Sequence, residues 1–178
     1  MHRRSDAAAL CAALALFGCG GRDQEAEAPQ KKLTAEAEVL AISKVWQALE
    51  EEHGTRGPAH KVGVFDLKQR TTLTLAEGHP SGEEKIEIKE RFELKSGAVY
   101  ECRARALSKV RVRFGRKNGE PALEVQRPSL IMARTCQPSD FPEREIQLPG
   151  SGSRFLLQDE QLVGFAPPSE KRVFLPKQ

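Results

Sequence analysis

Beyond Gly57-Pro58 the apolar residues of this chain recur at every second position, in short runs separated by Gly, Pro, Asn or Ser. That pattern leaves antiparallel β structure as the fold class. The runs are Lys61 to Leu67, Thr71 to Leu75, Lys85 to Leu94, Ala98 to Ala106, Lys109 to Gly115, Ala122 to Arg127 and Leu130 to Cys136, followed by Arg144 to Leu148, Arg154 to Leu157, Gln161 to Phe165 and Arg172 to Leu175. Linkers this short connect antiparallel neighbours, because parallel strands need a crossover of a dozen or more residues. The expected architecture is mainly β: one curved antiparallel sheet, as a sandwich or partial barrel, with one N-terminal amphipathic helix against it.

One hairpin follows from the residues almost completely. Asn118-Gly119 suits a two-residue type I′ turn, whose two positions both need positive φ. Counting outward pairs Lys117 with Glu120, Arg116 with Pro121, Gly115 with Ala122, Phe114 with Leu123, Arg113 with Glu124 and Val112 with Val125. Apolar meets apolar and Arg meets Glu, so the register is self-consistent.

Leu33 to His53 reads as the helix. Thr34 can cap its start, Glu36 and Glu38 complement the helix dipole, and Gly54 can end it. Val39, Ile42, Trp46 and Leu49 fall at steps of three and four, which on a helix makes one buried stripe.

In the strand around Cys102, alternation places Ala98, Tyr100, Cys102, Ala104 and Ala106 on one side, with Glu101, Arg103, Arg105 and Val99 on the other. Cys102 is therefore expected inside. Arg103, Arg105, Arg111 and Arg113, with Lys109, Arg116 and Lys117 nearby, make the outer face basic; it could contact lipid phosphates, anionic polysaccharide or an acidic protein. A solvated face whose arginines pair with acids such as Glu124 is the plainer alternative.

Catalytic patterns are weak. His53, His60 and His79 lack the spacing of a metal pair, and no metal site is expected. Glu90 interrupts the apolar phase of Ile86, Ile88, Phe92 and Leu94, which a bulge, a sheet edge or a salt bridge explains more simply than a general acid. Pro149-Gly150-Ser151-Gly152-Ser153 reads as a loop, without the strand-turn-helix context of a nucleophile elbow.

The first nineteen residues carry a different signal. A basic start (His2, Arg3, Arg4) leads into an apolar core from Ala7 to Phe17, too short for a bilayer, which takes about 20 apolar residues. It ends in Leu16-Phe17-Gly18-Cys19, which resembles the processing site of bacterial lipoproteins: Leu at the third position before the cysteine and a small residue directly before it. The resemblance implies that residues 1–18 are a signal peptide removed on export. It also implies that Cys19 carries a covalent diacylglycerol and acyl lipid, and that the protein sits in the bacterial cell envelope. Gly20 in place of Asp implies an outer-membrane destination facing the periplasm. Residues 20–32 hold no large apolar side chain and read as a tether. Thirteen such residues span roughly 20 Å and stretch to about 45 Å. The expected organisation is thus signal peptide 1–18, lipidated cysteine and tether 19–32, and one globular domain 33–178.

With Cys11 in the removed segment and Cys19 lipidated, Cys102 and Cys136 remain, and two thiols in an exported domain read as one disulfide. Removing Arg3, Arg4 and Asp6 lowers the formal charge from +3 to +2, too little to argue for nucleic acid, and aromatic residues are only 6% of the chain, which disfavours a stacking platform. The expected function is that of a membrane-anchored, non-enzymatic binding or assembly module without a cofactor beyond its lipid. A lipid carrier or an envelope hydrolase with a dispersed site is the alternative.

Overall fold

The two-residue alternation closes on itself. The computed structural model describes residues 33–56, 63–141, 144–166 and 170–177, all within the unit Leu33–Gln178. Cys19, the segment 1–18, the tether 19–32 and His60 lie outside the described residues. The elements are α1 (Ala35–Ile42), β1 (Val45–Arg56), β2 (Gly63–Leu75), β3 (Ser81–Glu93), β4 (Val99–Lys117), β5 (Glu120–Arg127), β6 (Leu130–Gln137), β7 (Glu145–Leu148), β8 (Ser151–Gln158), β9 (Gln161–Ala166) and β10 (Glu170–Pro176). All strand pairs are antiparallel, and the order β3-β2-β1-β10-β9-β8-β5-β4 returns to β3 through β3–β4 pairing. The fold is mainly β, as expected, but as a closed eight-stranded barrel rather than a sandwich or open sheet. Closure leaves no free edge between these eight strands except where a seam splays.

The β6–β7 ribbon is an extension of the barrel wall. Residues of β5 pair with β8 from Ala122↔Leu156 to Arg127↔Ser151, and the same register continues as Leu130↔Leu148 to Ala133↔Glu145 in β6 and β7. The hairpin bends at Pro128-Ser129 and Pro149-Gly150. At Gly150 a Cβ would lie 3.2 Å from the Ser129 nitrogen and 3.3 Å from the Arg127 carbonyl oxygen. Beyond the bend, Met132, Leu130, Ile146 and Leu148 pack on Ile86, Ile88 and Ala104.

The helix is shorter than the periodicity suggested. Thr34 caps it, its Oγ1 accepting the Ala37 N–H at 3.2 Å, but α1 ends at Ile42 and Ser43 turns extended at φ −163° and ψ 146°. Ser43 Oγ accepts the Val45 N–H at 3.0 Å and donates to the Val45 carbonyl at 2.6 Å, which turns the chain into β1. From there Val45 to Arg56 pairs residue by residue with β2. Trp46 and Ala48 face the core, whereas Leu49, expected on the buried stripe, is 61% exposed. Val45 and Trp46 favour strands, and β2 offers a pairing partner to all twelve residues.

Two expected breaks are also absent. Lys68 to Arg70 stay in the ladder, so β2 is continuous, and Leu107-Ser108 does not interrupt β4, whose alternation runs through it. Ser151 and Ser153 lie in β8 instead of a loop. The hairpin register is as counted, Lys117↔Glu120 through Phe114↔Leu123 to Val112↔Val125, with Asn118 at φ 54° and Gly119 at φ 88°.

The main core gathers Val39 of α1 with Trp46, Leu73, Val110, Leu123, Phe155, Leu162 and Phe174 from the barrel. A second cluster stacks Phe92 on Phe141 at 4.9 Å and sets Phe65 5.3 Å from Phe92. Cys102 and Cys136 form a disulfide in this cluster, directly opposite each other on β4 and β6.

A candidate anion-binding face and a polar belt inside the barrel

Outward-pointing positions of three adjacent strands carry a field of positive charge. Arg103, Arg105, Arg111 and Arg113 are all exposed on β4, as the alternation required. The sheet brings Arg70 of β2, Lys89 of β3 and Lys109 to the same face; among the described residues, none of these seven cations has an ion pair. Glu124, the acid opposite Arg113, is taken by Arg154, whose Nε donates to it at 2.8 Å. Arg116, at the end of the row, pairs instead with Glu38 of α1.

Cations also meet cations across the ladder. Lys68 stands opposite Lys89, and Lys89 opposite Arg103. Like charges placed directly opposite are destabilising. Of these three, among the described residues, only Lys68 has an ion pair, with Glu51 at 2.9 Å. The field registers on Glu87, which lies among these side chains. A hydrogen bond from Lys85 is the largest influence and, with the lesser charges of Lys85, Arg70 and Lys89, holds its carboxyl below its ordinary range against the opposing effect of burial, which outweighs each single charge.

A second polar constellation lies inside, and sequence alternation alone assigned none of its residues to a site. Glu50 of β1, Gln69 and Thr71 of β2, Glu84 of β3, Ser108 of β4, Arg127 of β5, Ser151 of β8 and Arg172 of β10 form a belt. Arg172 binds Glu50 with Nε–Oε1 at 2.6 Å and Nη2–Oε2 at 2.8 Å. Gln69 Nε2 donates to Glu50 at 3.2 Å. Arg127 donates to Ser151 Oγ at 3.1 Å and reaches Glu84 at 3.5 Å. Burial pushes the Glu84 carboxyl up; the charges of Arg127 and Arg172 and the Arg127 hydrogen bond pull the other way, and Glu50 adds to the rise. Ser108 faces Glu84 across the ladder, and its Oγ is buried without a hydrogen-bond partner, as is Arg127 Nε. The space lined by Glu84, Arg127, Ser151, Arg172 and Phe155 is only about 10 Å³, of the order of one water.

Glu90, which interrupts the apolar phase of β3, is held by Arg134: Nε–Oε2 is 2.8 Å and Nη2 donates to Oε1 at 3.0 Å. The guanidinium lies 5.4 Å from the Phe141 ring and 5.6 Å from Phe92. The salt-bridge explanation therefore holds. His53 pairs with Asp66 at 2.7 Å on the surface. Among the described residues no group of three His, Cys, Asp or Glu is placed to hold a metal, and no helix is long and apolar enough to cross a membrane.

No family model matches the chain, and no curated protein or solved structure is significantly similar to it. The functional reading rests on the residues themselves. The signal that could have found the belt was phase: Glu84 precedes Ile86, Ile88 and Glu90 at steps of two, and Arg127 follows Leu123 and Val125 in the same way.

Proposed function

We propose that this protein is a lipoprotein of the bacterial cell envelope, anchored through lipid on Cys19 at the outer membrane facing the periplasm. It works there without catalysis, as a binding or assembly module whose working surface is the basic face of β2, β3 and β4. The observation that carries this reading is the set of exposed cations that have no ion pair among the described residues. Such a field raises the local concentration of anionic partners and is available for contacts that an internally neutralised face has already made. The partner is an anionic envelope component, protein, polysaccharide or lipid, rather than nucleic acid.

The interior supports the module over the carrier. A lipid carrier needs a wide apolar cavity beside Trp46, and Trp46, Leu73, Leu123, Leu162 and Phe174 fill that space as one core. The charged groups inside the barrel are engaged in Arg172–Glu50, Arg127–Glu84 and Arg134–Glu90, an arrangement that fits a structural role better than an acid and base awaiting a substrate.

The test is fractionation and crosslinking of the native envelope with wild-type, Cys19→Ala and Arg103→Glu/Arg105→Glu proteins. Loss of membrane retention in Cys19→Ala and loss of crosslinked partners in the double reversal are expected. Unchanged retention removes the anchor, and unchanged crosslinks remove the working surface.

A further inference from the structure

The outward residues of β4 from Arg103 to Arg113 are Arg103, Arg105, Leu107, Lys109, Arg111 and Arg113, a row of cations interrupted by one leucine. At about 3.3 Å per residue the row is roughly 33 Å long. Leu107 is 67% exposed, opposite Lys85 of β3. On its other side β4 has no described partner, since β5 pairs from Arg111 onward and β6 only up to Ala104. An apolar side chain raised out of a basic field is poorly placed for water.

The site of chain entry adds a second constraint. Arg116 Nη2 donates to the Leu33 carbonyl at 3.0 Å, so the chain enters the described domain three residues along β4 from Arg113, beside a side chain in the alternate phase to the row. Thirteen residues lie between Cys19 and Leu33 and reach at most about 45 Å. The row is therefore within reach of the same bilayer that would hold the lipid.

We propose that the β4 row is a membrane-docking strip, laying the barrel on an anionic phospholipid surface with Leu107 in the interfacial layer and the flanking cations on lipid phosphates. This rests on the reading of the basic face as the working surface, and it commits that face to lipid. An anionic polysaccharide offers the charges but no apolar layer for Leu107, whereas a bilayer interface offers both. With the diacylglycerol and acyl lipid on Cys19 supplying the attachment, the strip would set the orientation of the barrel on the bilayer rather than its retention there.

The test uses the processed chain beginning at residue 19, as Cys19→Ala and so free of signal segment and lipid, with phosphatidylcholine vesicles that contain or lack phosphatidylglycerol. Cosedimentation is expected only with phosphatidylglycerol and only at low salt. Arg103→Glu/Arg105→Glu and Leu107→Asp should each weaken it about ten-fold, Leu107→Gln less, and Lys171→Glu on β10 not at all. Retained burial of Trp46, read by its emission, confirms that each variant is folded. Binding to dextran sulfate is measured in parallel. Vesicle binding indifferent to Leu107, with dextran sulfate bound equally well, overturns the membrane strip and leaves an anion-binding face. Insensitivity of both ligands to Arg103→Glu/Arg105→Glu overturns the strip and the working surface together.

Discussion

Arg172 on β10 clasps Glu50 on β1 through two hydrogen bonds, of 2.6 and 2.8 Å, across the loosest seam of the barrel. The ladder between these strands covers Trp46↔Pro176 and Gln47↔Leu175, with the Lys177 N–H donating to the Val45 carbonyl at 2.9 Å beside it, whereas β8 and β9 pair over five positions. Below Gln47, side chains replace the ladder. Arg172→Ala leaves the partly buried Glu50 carboxylate without its cation and should lower the free energy of unfolding by about 2 kcal/mol, seen as a lower urea midpoint. Glu50→Leu/Arg172→Met should recover most of that loss, because the remaining charge is gone as well.

Glu84 links stability to pH. Burial, opposed by Arg127 and Arg172, raises its pKa in the folded state, so the native protein binds this proton more tightly than the unfolded chain does. The associated stability is complete below about pH 4.5, the ordinary value, and is lost as the pH climbs through the raised one. Urea unfolding between pH 4 and 7 should therefore show a declining component that Glu84→Gln removes, with Gln still able to accept from Arg127. An identical pH profile in the variant contradicts the assignment.

Cys102–Cys136 closes a loop with a sequence separation of 34, tying β6 to β4 beyond the bend. Constraining such a loop in the unfolded chain is worth about 3 to 4 kcal/mol. Cys102→Ala/Cys136→Ala should lose about that much, and dithiothreitol should lower the urea midpoint of the wild type but not of the double variant.

Trp46 is the single tryptophan and is fully buried, with Leu73, Phe155 and Phe174 in the same core. Its emission should be blue-shifted and resistant to iodide quenching in the native state, turning red and quenchable on unfolding. The placement on β1 makes a further distinction: Leu49→Ala, which would gut a helix stripe, should cost little, whereas Trp46→Ala should cost about 3 to 5 kcal/mol.

Alternation was enough to identify nearly every strand, because a side-chain period of two is a local property of the pleat. The Asn118-Gly119 hairpin was legible to the residue for the same reason: its turn chemistry and its cross-strand pairs are close in sequence. The region from Val45 to Arg56 was not. Val45, Trp46 and Leu49 suit a helical stripe as well as a strand, and the decision was made by β2, which pairs with all twelve residues. Of the candidate face, the β4 arginines were visible from alternation alone, but Arg70 and Lys89 join them only through sheet pairing.

By itself the sequence determined the β class, the strand phases, the cap at Thr34 and the inward aim of Cys102, all consequences of short-range sterics and of the burial of apolar side chains. It also carries the motif ending at Cys19, on which the proposed anchoring rests. Barrel closure, the belt of charges within it, and the absence, among the described residues, of an ion pair at Arg103, Arg105, Arg111 and Arg113 were decided only by the tertiary structure. Each depends on which strand lies beside which, and that is settled by distant segments competing to cover the same apolar faces and satisfy the same backbone.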